Sequence, residues 1–141
     1  MAATLREQIL NRLVVLLAAV PGVVMIERSR RVAVDRDQTP AILIRPDAAD
    51  VERAGQTTDR HAFTAVIVVE TRGDPWDAVA DPIVDALHKL VMRDPALLAL
   101  ADVRLLSREP EDTEADATAG QDALHYRFTY LSRADDLSAR P

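Results

Sequence analysis

Near the start of the chain, apolar residues recur at helical spacing. Leu5, Ile9, Leu13, Leu16, Leu17 and Val20 fall on one face of a 3.6-residue period. Thr4 and Glu7 stand in the S/T-x-x-E arrangement that satisfies free amides at a helix start. A first helix is therefore predicted over Leu5–Ala19. Pro21-Gly22 stops it, because proline cannot continue the hydrogen-bond ladder and glycine permits the turn. Short apolar runs then read as strands at Val23–Glu27 and at Ala41–Arg45, the second ending at Pro46. The clearest strand is His61–Arg72. Phe63, Ala65, Ile67 and Val69 line one of its faces, and Val66 and Val68 make the middle of the other face apolar as well. Such a strand is central in its sheet, or has one face covered by a partner.

Asp74-Pro75 sets a capping side chain before a proline, and Trp76, Val79, Ile83, Leu87, Leu90 and Val91 follow at helical spacing. Pro82 lies inside that pattern and predicts a kink, or a restart with Asp81 as cap. Asp94-Pro95 opens a short turn through Leu100. Two strands close the chain, Val103–Leu106 and Leu124–Leu131. In the second, Leu124, Tyr126, Phe128 and Tyr130 alternate with His125, Arg127 and Thr129. Asp47–Arg60 and Glu109–Asp122 have loop composition, and the latter holds six acids and no base. Glu109–Gln121 is accordingly expected to be dispensable for folding. The expected fold class is α+β: a mainly antiparallel or mixed sheet of about five strands with two main helices packed on one face. Residues 1–133 form one domain, and 134–141, which lack periodicity, are expected to be a flexible C-terminal tail.

Composition narrows the function classes. A chain of 141 residues with 48% hydrophobic content is long enough to bury a single core. It has no cysteine, which excludes disulfides, thiolate metal sites and cysteine nucleophiles. The uninterrupted apolar run Leu13–Val20 has 8 residues, against the ~20 that a membrane-spanning helix requires, so neither a membrane partner nor export is expected. A net charge of −6 argues against sequence-specific or general duplex-DNA binding, which needs a basic footprint to release counterions.

Candidate chemistry is sparse. His61, His88 and His125 are too far apart in sequence for the short spacings that zinc sites use, and no phosphate-binding glycine loop or nucleophile elbow occurs. No catalytic residue, cofactor or metal is therefore expected. Asp47, Glu70 and Arg72 loosely resemble the carboxylate pair and lysine of metal-dependent nucleases, but a guanidinium does not deprotonate and cannot replace the lysine. The one basic cluster, Arg28, Arg30, Arg31 and Arg36, is either a solvated hairpin or a partner contact. Trp76 is either core or an interface anchor. Together with Val66 and Val68, on the second apolar face of the central strand, these residues are the interface candidates.

Motif order carries a resemblance. An L-R-x-x-I-L-x-x-L helix ends in P-G-V and is followed by E-R-x-R-R at Glu27–Arg31. Next come T-P-A-I-L-I-R-P-D at Thr39–Asp47 and D-P-A-L-x-x-L-A-D-V-R-L at Asp94–Leu105. An acidic stretch and a Y-x-F-x-Y strand complete the series. From Thr4 to Arg133 the chain resembles the tail-terminator proteins of long-tailed phages and prophages, the group of the phage lambda minor tail protein U. The resemblance implies a structural protein without enzyme activity that forms a hexameric ring on the finished tail tube. Its implied partners are further copies of itself, the major tail tube protein and the head–tail connector proteins. Its implied setting is the bacterial host cytoplasm during assembly and then the virion tail. A head–tail connector or other tail-completion protein is the alternative, and a Mg²⁺-dependent nuclease is the distant one.

Overall fold

The computed structural model describes residues 2–29, 33–114 and 118–141. Helix α1 spans Leu5–Leu17, two residues shorter than its periodicity suggests, and Thr4 Oγ1 accepts a hydrogen bond from the Glu7 amide at 3.1 Å. The reciprocal half of the capping box is not made. The Glu7 carboxylate instead takes both Nη atoms of Arg28, at 2.6 and 2.8 Å. Strand β1 is Met25–Arg28 and is followed by a 3-10 turn at Arg36–Gln38. Strand β2 is Ala41–Arg53 and β3 is Thr58–Arg72.

Helix α2 runs unbroken over Trp76–Arg93 with Pro82 inside it. Neither the restart at Asp81 nor the cap from Asp74 is made. Pro82 is on the exposed side of the helix, so its missing amide leaves no buried carbonyl to be satisfied elsewhere. Helix α3 spans Pro95–Leu100, and Asp94 caps it as its sequence predicts, Oδ2 accepting from the Leu97 amide at 2.9 Å. The same carboxylate receives Nε and Nη2 of Arg12 at 2.8 and 2.7 Å, which ties α1 to the start of α3. Strands β4, Asp102–Asp112, and β5, Ala119–Arg133, complete the chain.

The five strands form one sheet in the order β1-β2-β3-β5-β4. Only the β1–β2 pair is parallel. The expected α+β architecture and the central place of the His61–Arg72 strand are both found. The helices cover one face, where Ile9, Leu13 and Leu17 of α1 and Ile83, Leu87 and Val91 of α2 meet Phe63, Ile67, Tyr126 and Phe128 of the sheet. Burying apolar side chains of this size contributes roughly 1.5–3 kcal/mol each, so this layer dominates folding.

Two expectations are corrected. Asp47–Arg60 is mostly strand, with a turn only at residues 54–57. After a bulge between Pro46 and Ala49, β2 stays paired with β3 from Ala49↔Phe63 to Arg53↔Asp59. These residues are polar because residues 47–57 are exposed, not because the backbone is irregular. Glu109–Asp122 is likewise mostly ladder, with Glu109↔Ala123, Glu111↔Gln121 and Asp112↔Gly120 in register. Ala119, Gly120 and Asp122 are buried, so this end of the segment is built into the fold. Residues 134–141 make backbone hydrogen bonds to the rest of the chain. The Leu5 amide donates to the Leu137 carbonyl at 2.9 Å and the Ala134 amide to the Thr57 carbonyl at 2.8 Å.

Candidate functional site

The interface candidates among the described residues are not gathered in one place. Arg28 is half-buried in its bidentate pair with Glu7, which holds that carboxyl below its usual range through the Arg28 hydrogen bonds. It braces α1 against β1 and is not a free hairpin charge. Arg30 and Arg31 lie outside the described residues. Arg36 is exposed on the 3-10 turn. Trp76 is 4% exposed and belongs to the interior. Its Nε1 donates to Asp112 Oδ1 at 2.6 Å, its carbonyl accepts from Thr71 Oγ1 at 3.0 Å, and its indole lies directly over Gly120. Of the two readings of Trp76, core and interface anchor, this burial fits the core. The indole fills the space above a glycine of β5, which only a residue without a Cβ leaves open.

Val68 is also buried. It forms a small cluster with Leu43 and Ala123 on the helix-free face, against which Met25, Val34 and the half-buried Val66 pack. The second apolar face of β3 is thus partly covered by the chain's own Val34 segment. What remains open of this face is mainly polar, and the register lays it out in rows. Arg45, Val66, His125 and Ser107 cross four strands in one row, and Thr64, Arg127 and Arg104 make up the next. Arg45, Arg104 and Arg127 are all exposed.

On the helix side, α2 lies over β3 and β5 and leaves the residues of β4 beyond Val103 exposed. A groove results between α2 and β4. Asp77, Ala78, Asp81 and His88 form its wall, and Leu105, Arg108 and Pro110 its floor. Asp122 sits beneath it, 2% exposed, with Oδ2 on Arg108 Nη2 at 2.6 Å and Nε at 2.8 Å and with no partner for Oδ1. Arg108 also reaches Asp81 at 3.5 Å.

The histidines serve separate structural contacts. His61 is buried, with Nε2 2.7 Å from Ser132 Oγ and its ring stacked on Tyr130 at 4.9 Å between centroids. The Ser132 hydroxyl also lies 3.0 Å from the Arg133 carbonyl. His88 Nδ1 lies 2.7 Å from the hydroxyl of the fully buried Tyr126, whose ionisation burial pushes well above its ordinary value. His125 stands 3.5 Å from Glu109. Among the described residues no group of three or more His, Cys, Asp or Glu is placed to hold a metal. Asp47 is in the β2 bulge beside Pro46↔Ala65, whereas Glu70 pairs with Ala41. Five residues of strand separate them, roughly 16 Å at the rise of an extended chain, so they do not converge on one cation. Among the described residues no helix is long and apolar enough to cross a membrane.

No family model and no curated protein matches the chain.

The Arg104·Arg127 pair and the α2–β4 groove are the features that sequence reasoning passed over. The outward position of Arg127 was readable from its alternation with Tyr126 and Phe128. Its neighbour was not, because the pairing of β4 with β5 depends on a register set by the bulge between Leu105 and Ser107.

Proposed function

We infer that the chain is a phage or prophage tail terminator, a structural protein that docks as a ring of identical copies on the end of a tail tube and stops its growth. Such a protein would be made in the bacterial host cytoplasm and remain in the virion tail, meeting the major tube protein on one side and the head–tail connector on the other. The observation that carries the reading is the one-sided layering of the fold. All the helices pack on one face of a five-stranded sheet, and the opposite face is left with a few apolar residues among exposed arginines. A face of that kind suits contact with other protein subunits better than it suits a small substrate, which takes an enclosed and mostly apolar pocket. The motif order from Thr4 to Arg133 supports the same reading.

The test is assembly of tails with and without the protein, followed by electron microscopy. The expected result is tubes of uniform length with a ring at one end when the protein is present, and tubes of overrun length when it is missing. Tubes of the same length distribution in both preparations refute the reading.

A further inference from the structure

The helix-free face carries guanidinium groups side by side, and the helix layer carries a row of carboxylates. Arg104 and Arg127 are direct cross-strand partners. Both point away from the main core, because their chain neighbours Val103, Tyr126 and Phe128 are buried in it. Like charges directly opposite one another weaken an antiparallel pair. Here Arg104 has a 3.5 Å contact with Asp102, both largely exposed, and Arg127 has no ion pair among the described residues. Arg45 lies one row further along, across Val66 and His125. Acids share this face: Asp50 and Asp102 lie in the row next to Arg104 and Arg127, across Ala62 and Thr129, with Glu109 and Glu111 near the β4–β5 turn and Glu52 beside Arg60 near the β2–β3 turn.

On α2, Asp77, Asp81 and Asp85 recur every four residues and form one stripe. Asp85 is matched by Lys89 at 2.8 Å. Asp77 and Asp81 are exposed, and the nearest cation to Asp81 is Arg108 at 3.5 Å, which is already held by Asp122. Each row is thus a set of like charges that the folded chain compensates in part, at Arg104, Asp81 and Asp85, while among the described residues Arg45, Arg127 and Asp77 have no ion pair.

We propose that the two rows are the two halves of one contact between copies of this chain, with Arg45, Arg104 and Arg127 of one copy seated on Asp77 and Asp81 of the next. The rows lie on opposite sides of the sheet, so they cannot meet within one chain. A contact between unlike patches is heterologous; repeated head to tail, it closes into a ring or runs on as a filament. A second copy is favoured over a polyanion because the complementary half is present on this chain and because a net charge of −6 repels nucleic acid. The contact takes its biological setting from the terminator reading, but it is measured on purified protein without tails.

The experiment uses two charge-reversed proteins, Arg104→Glu with Arg127→Glu and Asp77→Lys with Asp81→Lys. Both substitute exposed positions, and circular dichroism with thermal melting checks that each remains folded. Sedimentation velocity over a concentration series should show each variant associating at least tenfold more weakly than the original protein, and the original protein weakening as salt is raised. An equimolar mixture of the two should regain association. The Asp77 and Asp81 row of the first variant still fits the arginine row of the second, and the reversed rows fit each other. The proposal is overturned if the original protein is monomeric throughout, if either variant associates as the original does, or if the mixture stays monomeric. Tube capping that survives both reversals would overturn this contact while leaving the terminator reading intact. Loss of capping by a protein that still self-associates normally would also overturn it, by assigning the rows to the tube protein.

Discussion

Replacing Gly120 by alanine should destabilise the fold far more than a single methyl group suggests. A Cβ at this position would lie nearer to Cε2 and Cδ2 of Trp76 than Cβ atoms in proteins ever come to a neighbour. Nothing flexible is available to yield. Trp76 is 4% exposed, opens helix α2 and is held by the hydrogen bond from its Nε1 to Asp112 at 2.6 Å. Accommodating the methyl therefore requires the indole to slide off β5, at the ~1–3 kcal/mol typical of an overpacked core. It also requires losing a hydrogen bond to a carboxylate, worth about 1.5–3 kcal/mol and here at the low end because Asp112 is exposed. The sum is about 3 kcal/mol. With an unfolding entropy of about 2.1 cal/mol/K per residue, a chain of 141 residues should melt roughly 10 °C lower. Trp76 is the only tryptophan, so its fluorescence reports both the shift in the urea midpoint and the change in its own surroundings. Combining Gly120→Ala with Trp76→Phe should recover part of the loss, because the smaller ring leaves room for the methyl. A Gly120→Ala protein within about 0.5 kcal/mol of the original would show that the indole does not rest on Gly120, and the argument for the β4–β5 ladder reaching Asp112 would fall with it.

Other outcomes follow from the same contacts. Asp94→Ala removes both the cap of α3 and the partner of Arg12, so it should cost at least the ~1 kcal/mol of a lost helix cap, read by chemical denaturation. Hydrogen bonds from Arg28 and Arg12 hold the carboxyls of Glu7 and Asp94 below their usual ranges. Lowered acids stabilise the fold above their unfolded values near pH 4, and that stability is lost as pH falls through the still lower folded values. The melting temperature should therefore drop below about pH 4, and an Arg12→Met, Arg28→Met protein should show a shallower drop; an unchanged acid limb refutes the assignment. Truncation after Arg133 removes the backbone bonds that the tail makes to Leu5 and Thr57, and at ~1 kcal/mol each should cost about 2 kcal/mol. Supercoiled DNA incubated with the protein and Mg²⁺ or Mn²⁺ should remain uncut, since Asp47 and Glu70 stand on separate parts of the β2–β3 ladder; cleavage abolished by Asp47→Ala would contradict that.

The helices and the centre of the sheet were legible because they carry the periodic apolar signal that burial imposes. Thr4, Asp94-Pro95 and the alternation from Leu124 to Tyr130 each gave the element found. Pro82 does not end the helix, because a proline on the solvent side of an amphipathic helix costs one hydrogen bond that the packing of Ile83, Leu87 and Val91 outweighs. Trp76 is not assignable from spacing, since its contacts, Asp112 and Gly120, come from strands with loop-like composition.

The largest errors, Asp47–Arg60 and Glu109–Asp122, share one physical cause. Strand is legible in a sequence only where one side of it is dry, and the outer part of β2 and most of β4 are wet on both sides. Their hydrogen bonds are formed all the same, because β3 and β5, anchored in the core through Phe63, Ile67, Tyr126 and Phe128, present their backbone edges as templates. Ladder pairing of this kind depends on the partner strand rather than on the composition of the strand that joins it. It follows that side chains on the outer strands are under little constraint from the fold, and their charges can be set by what the surface meets. The bulge between Leu105 and Ser107, the proline at position 110 and the charges of β4 all oppose addition of a further strand at that edge. Contacts with neighbours are thereby directed away from the strand edge and onto the faces, where Arg104 and Arg127 stand on one side and Asp77 and Asp81 on the other.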